Sequence, residues 1–141
     1  NNLEIEIAWI INSKDGLDEI SPYTQTYITQ LKDKKISEII IDPKKLNVNA
    51  DKFENLIGDD AKFNAEKMLN IFKGEDNDFS KAVCLNASAG LIVNETHQDF
   101  ADAYDHAREH ILSGKTIKHL DKIQNVWKYS WKNNQKKDYK N

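Results

Sequence analysis

The sequence contains one cysteine, Cys84, so it cannot close a disulfide within the chain. No apolar run approaches the ~20 residues that a membrane-crossing helix needs, which excludes a spanning helix and points away from a membrane partner. The first residues, Asn1-Asn2-Leu3-Glu4, lack the basic and apolar regions of a secretory signal. Together these absences predict a reducing, cytoplasmic setting. The five glycines, Gly16, Gly58, Gly74, Gly90 and Gly114, stand apart from one another, so the sequence has no glycine-rich cradle for phosphate. Internal repeats are also lacking.

What remains is the composition of one soluble domain. The chain has 141 residues, 39% hydrophobic and 30% charged, with a mean hydropathy of -0.72. A compact chain of about 150 residues removes roughly 68–70% of its unfolded surface from water, enough for a sizeable single core. The net charge of -3 is unevenly spread: from Lys115 onward eight lysines face Asp121 and Asp138, a balance of +6, which leaves -9 for the preceding part. Residues 1–129 are therefore read as the domain and 130–141 as a flexible basic tail. The tail lysines, Lys132, Lys136, Lys137 and Lys140, follow no regular pattern that would mark an RNA or membrane surface.

Periodicity sets the order of elements. Ile5, Ile7, Ala8, Trp9, Ile10 and Ile11 form a short apolar run ending at Asn12-Ser13-Lys14-Asp15-Gly16, which predicts a buried strand and a turn. Thr26 to Leu31 and Lys35 to Ile41 predict a hairpin, stopped by Asp42-Pro43. A short helix capped by Asn49 would carry Phe53, Leu56 and Ile57, with Gly58 in a left-handed position beyond it. Ala61, Ala65, Met68, Leu69 and Phe72 then share one helical face, expected to look inward. The Phe79–Val93 run is apolar nearly all round, which predicts a central helix approached closely by neighbours at Ala87, Ala89 and Gly90. A helix from about His97 to Ser113 and a last one bearing Ile117, Leu120, Ile123 and Trp127 complete the chain. This order leaves the first strand alone and in need of partners.

Asp15-Gly16-Leu17-Asp18-Glu19 places three carboxylates within five residues on a loop at a strand end, where α/β folds bind ligands. Such groups can hold Mg²⁺, which prefers one or two carboxylates together with waters and phosphate oxygens. A solvated acidic turn is the competing reading. His106 and His110 share a helical face with Asp102, a spacing that can bind zinc, but the intervening Ala107-Arg108-Glu109 is not the zincin pattern and Arg108 would repel a cation. His97 and His119 have no supporting neighbours in sequence. Cys84, without a basic neighbour, reads as a buried thiol rather than a nucleophile. Trp127, Tyr129 and Trp131 beside lysines could stack on bases, though packing at a helix end is the simpler expectation.

Several stretches together resemble one family, the C-terminal portion of the anthranilate phosphoribosyltransferases. They are Asp15 to Ser21, Leu31 to Pro43, Gly58-Asp59-Asp60-Ala61 with Asn64-Ala65, Ala82 to Ala89, and Ala103 to Lys115. The pieces lie in the family's order and spacing, from about Ile5 to Ile123. The resemblance implies an incomplete C-terminal part of the phosphoribosyltransferase α/β domain: one buried strand, a β-hairpin, then four to five packed helices. It also implies transfer of a phosphoribosyl group from phosphoribosyl pyrophosphate to anthranilate in tryptophan biosynthesis. Asp18 and Glu19 match the family's magnesium-binding pair, whereas Asp15 and Gly16 match as shaping residues. No catalytic residue is assigned, and no substrate-binding residue is identified.

The family's glycine-rich pyrophosphate loop and anthranilate-contacting motifs lie upstream of the matched region. The isolated chain is therefore expected to be inactive and to hold Mg²⁺ weakly, and the partners expected for it are a missing N-terminal piece or a second copy joined through residues 5–11. Pro22-Tyr23-Thr24-Gln25, Asn12-Ser13-Lys14 and Lys34 depart from the family's usual residues, the last often glycine. The alternative is a non-catalytic remnant serving as an interaction or nucleic-acid-binding module.

Overall fold

The computed structural model describes residues 4–135, with side chains through Trp127. Three strands, β1 (Ile7–Ser13), β2 (Thr26–Lys32) and β3 (Lys35–Ile41), form an antiparallel sheet in the order β1-β2-β3. The hairpin is closed by Asp33 and Lys34 alone, at φ of 51° and 61°. Two positive φ values in a two-residue loop match the right-handed twist of the flanking strands.

The first strand is not alone, as the sequence suggested, but pairs along its length with β2, from Ile7 opposite Lys32 to Ser13 opposite Thr26. The register brings Ser13, Thr26 and Ile41 into one row and Ile11, Ile28 and Ile39 into the next, facing the helices. Thr26, Ile28 and Ile41 are buried there. Because successive side chains alternate between faces, Ile10, Tyr27, Ile36 and Ile40 point the other way and are exposed, Ile10 at 71% and Ile36 at 76%. Thus, among the described residues, β1 is covered along one face only.

Four helices follow: α1 (Ala61–Phe72), α2 (Asp78–Val93), α3 (Phe100–Leu112) and α4 (Lys115–Gln135). Short 3-10 turns at Pro43–Leu46 and Phe53–Leu56 link them to the sheet. The second replaces the expected Asn49-capped helix, and Phe53 and Ile57 stay exposed. Gly58 does not take a left-handed conformation; a Cβ there would meet Asn64 Oδ1 at 2.8 Å and displace that exposed side chain.

Helix α2 is the centre of the core, with Cys84, Leu85, Ser88 and Ala89 buried. Its start is fixed by a reciprocal cap: Ser80 N donates to Asn77 Oδ1 at 3.0 Å, and Asn77 N donates to Ser80 Oγ at 2.9 Å. Of the positions expected to meet close neighbours, Ala89 is buried, whereas Ala87 and Gly90 are exposed. Helix α3 buries Ala103, Tyr104, Ala107 and Ile111, the face its periodicity implies, but begins only after Asp99, whose carboxylate accepts from Ala101 N and Asp102 N.

Helix α1 departs from expectation: Ile71 is buried, while Ala61, Ala65 and Met68 are exposed. Periodicity shows that a helix has an apolar face, not that the chain supplies something to cover it. In α4, Ile117 and Leu120 are half-buried, but Ile123 and Trp127 are exposed, so Trp127 does not pack as expected. The helix continues past residue 129; the side chains of Tyr129 and Trp131 and residues 136–141 lie outside the described residues. Among the described residues no helix is long and apolar enough to cross a membrane.

Candidate functional site

The acidic loop leaves the C-terminal end of β1 as a tight, non-helical turn. Gly16 N donates to Ser13 O at 2.9 Å, Ser13 N donates to Leu17 O at 2.9 Å, and Lys14 N donates to Gln25 O at 2.9 Å. The turn passes through Gly16 at φ 93°, where an L side chain would be strained even though open space surrounds it. The sequence places glycine where the backbone needs it.

The three carboxylates divide into two roles. Asp15 turns back on the loop: its Oδ2 accepts from Ser21 Oγ at 2.6 Å, and its Oδ1 accepts from Leu17 N at 3.4 Å. Ser21 Oγ in turn accepts from Tyr23 N at 3.0 Å. Burial pushes the Asp15 carboxyl upward, but the neighbouring Ser13 and Ser21 hydroxyls and the Leu17 amide favour the anion more, leaving its pKa below the ordinary value. This carboxylate shapes the loop. All three residues are exposed, but Asp18 and Glu19 accept none of the hydrogen bonds that fold Asp15 back, and among the described residues neither forms an ion pair.

The loop is fastened beyond the acidic pair as well. Ile20 is fully buried; its N–H donates to Asn86 Oδ1 at 2.9 Å, and its carbonyl accepts from Asn86 Nδ2 at 3.2 Å. Ser21 N donates to Thr26 Oγ1 at 3.1 Å, tying the loop to the first residue of β2. Two exposed carboxylates on adjacent residues of a secured backbone offer hard oxygen donors of the kind Mg²⁺ takes together with waters and phosphate oxygens. The residues present fit that ion.

A second polar centre, not anticipated from the sequence, lies at the start of α2. Asp78 is only 5% exposed. Its Oδ2 accepts from Asn55 Nδ2 at 2.8 Å, Asp51 N at 3.0 Å and Tyr23 Oη at 3.1 Å, while Lys81 Nζ lies 3.1 Å from Oδ1. Burial pushes this carboxyl up, but the donors from Asn55, Lys81, Asp51 and Tyr23 outweigh it and set its pKa at about 2. Burial, followed by the neighbouring Asp78 anion, raises the Tyr23 hydroxyl far above its ordinary value. An acid at a helix start usually reads as complementing the helix dipole, and the one available signal was the Asn77-to-Ser80 cap beside it.

The histidines are closer together than the sequence indicated. His97 and His106 meet edge to face with centroids 4.8 Å apart, and the His106 and His110 rings are 6.5 Å apart. No group of three metal-ligating side chains forms among the described residues, with Asp102 or otherwise. His119 is exposed. Cys84 is buried as expected, and burial pushes its thiol up to about 11.

An antiparallel sheet against a helical layer, with a bracketed acidic loop at the end of β1, agrees with the match of residues 1–117 to the glycosyl transferase family, a/b domain. The chain belongs to this family. Among its relatives is anthranilate phosphoribosyltransferase from Pelagibacter ubique (strain HTCC1062), 72% identical over 126 residues, which make up 89% of this chain and 38% of the relative. The chain therefore spans little more than a third of that relative's length. Anthranilate phosphoribosyltransferase from Thermus thermophilus shares the fold at a TM-score of 0.74 and 20% identity, covering 82% of this chain and 34% of that one. The Saccharomyces cerevisiae enzyme in complex with PRPP and Mg does so at 0.70 and 20% identity, covering 80% and 33%. The likeness to part of an anthranilate phosphoribosyltransferase is thus shown in both sequence and fold.

Proposed function

We propose that this chain supplies the metal-holding part of a phosphoribosyl-transfer site, in which the amine of anthranilate displaces pyrophosphate from the anomeric carbon of phosphoribosyl pyrophosphate. Asp18 and Glu19 are the metal ligands in this reading. The single observation that carries it is the exposure of both carboxylates on a loop whose flanking residues are hydrogen-bonded in place. Bound Mg²⁺ would neutralise negative charge developing on the departing pyrophosphate. The chain's own residues hold the two acids outward, while Asp15 stays folded into the turn and keeps its charge for the loop.

The described residues include no glycine-rich pyrophosphate loop, so the isolated chain holds Mg²⁺ weakly and does not turn over by itself; the complete site needs polypeptide beyond these residues. Its setting is the cytoplasm. To test the reading, this chain would replace the matching segment of the Pelagibacter ubique enzyme. Magnesium-dependent transfer is expected in the chimera, with a loss of at least a hundredfold in the Asp18→Ala/Glu19→Ala form. A folded chimera whose activity ignores both substitutions would reject the metal assignment.

A second reading, of an interaction module, is favoured by the exposed apolar side of the sheet and by the outer edge of β1, which no other described strand pairs. An unpaired edge is a template for another strand. In this reading the chain associates through residues 5–11.

A further inference from the structure

We propose that Asn86 is a positioning residue for the acidic pair: from α2 it fixes the backbone of Ile20 and thereby the direction in which Asp18 and Glu19 present their carboxylates. The proposal rests on the reading of those two residues as metal ligands. The Asn86 carboxamide accepts from Ile20 N at 2.9 Å and donates to Ile20 O at 3.2 Å, so it reads both polar groups of one residue. A further bond from Nδ2 to Ala82 O at 2.9 Å anchors the side chain to its own helix. A small side chain with both an acceptor and two donor hydrogens is required for all three bonds, and asparagine provides it.

Asparagine is an indifferent helix former, and here it occupies the interior of α2. Its bonds reach outside the helix to a residue 66 positions earlier. On the other side of the acidic pair, Leu17 O is held by Ser13 N at 2.9 Å. Asp18 and Glu19 are thus the two residues between a sheet anchor and a helix anchor. Removing the helix anchor loosens the peptide groups of Ile20, while the bond from Ser21 N to Thr26 Oγ1 remains, so a cation must then order the backbone at Glu19 and Ile20 itself. Ordering one residue's backbone corresponds to roughly five- to thirtyfold in affinity, and with Ser21 still bonded to Thr26 the lower part of that range, about five- to tenfold, applies.

The test measures the Mn²⁺ dissociation constant of the 141-residue chain by electron paramagnetic resonance, using Mn²⁺ alone as the probe. Asn86→Ala is expected to weaken binding about five- to tenfold by the same entropic argument. Asn86→Leu, which keeps the approximate size of the side chain but makes no hydrogen bond, is expected to do the same. Ile111→Ala, a core change on α3, should lower the melting temperature while leaving Mn²⁺ affinity within about twofold, because it touches no loop anchor. Folded Asn86→Ala or Asn86→Leu chains with native Mn²⁺ affinity would overturn the positioning role. If Asn86→Ala does not fold, Asn86→Leu decides. Equal Mn²⁺ binding by the native chain and by Asp18→Ala/Glu19→Ala would instead overturn the underlying metal reading.

Discussion

The Tyr23 hydroxyl donates to Asp78 Oδ2 at 3.1 Å, fastening the segment after the acidic loop to the first turn of α2. Asp51 N and Asn55 Nδ2 converge on the same oxygen, so one buried carboxylate joins three stretches of chain. Its removal should be felt globally. Replacing Asp78 by Asn leaves a buried group that cannot satisfy the same donors, and an unfolding free energy lower by about 3 kcal/mol is expected in urea titration at neutral pH. Tyr23→Phe should lower it by about 1 kcal/mol.

The same residue sets an acid limit on stability. Its folded pKa is depressed to about 2 from the ordinary 3.8, so the unfolded chain binds the proton more readily. The stabilisation is complete above the unfolded value and is lost as pH falls from about 4 through 2. Roughly 2 kcal/mol should disappear across that window. Asp15 and Asp76, also depressed, act in the same direction. Urea midpoints recorded between pH 6 and pH 2 should fall steeply for the native chain and less steeply for Asp78→Asn.

Lys34 occupies the second position of the hairpin turn at φ 61°, a left-handed conformation that disfavours a side chain. Glycine there relieves the strain, and Lys34→Gly should stabilise the chain by about 1 kcal/mol. Gly16 gives the converse case, because at φ 93° with open space around it the penalty of an added Cβ is backbone strain alone. Gly16→Ala is expected to destabilise by about 1–2 kcal/mol. Thermal unfolding of both variants should therefore shift in opposite directions.

These positions also show what the sequence could reveal. The hairpin and the face of α3 each carry a local signal: β-rich runs around a charged pair, and apolar residues spaced by three and four. The acidic loop was legible because a glycine sits among acids directly after an apolar strand. Pairing between β1 and β2 was not, since an apolar run on both sides reads as buried, whereas the described residues cover only one side of Ile7 to Ser13. The exposed stripe of Ala61, Ala65 and Met68 follows the same logic: periodicity defines a face, and its covering is a tertiary matter. Asp78 escaped notice because its partners come from distant positions. Asn86 was visible as part of a motif, but its reach to Ile20 depends on how the loop returns to α2.

The outer side of the sheet makes a further claim testable. Ile10, Ile36 and Ile40 lie on one exposed face, interrupted by Thr29 and Glu38 in the row of Ile10, and exposed apolar side chains of this kind favour association. Sedimentation of the native chain at increasing concentration should show a dimer, and Ile10→Lys, within the 5–11 segment of the association surface, should shift it towards monomer. A native chain that stays monomeric throughout would count against the interaction reading.

The most direct measurement of the central claim is paramagnetic broadening by Mn²⁺, followed on the backbone amide signals of the native chain. The amides of Leu17 to Ile20 should broaden first, and excess Mg²⁺ should restore them. The Asp18→Ala/Glu19→Ala chain should lose this localised effect while keeping its other signals in place. Broadening that begins at other acidic segments, or persists at Leu17 to Ile20 after both carboxylates are removed, would contradict a metal site at Asp18 and Glu19.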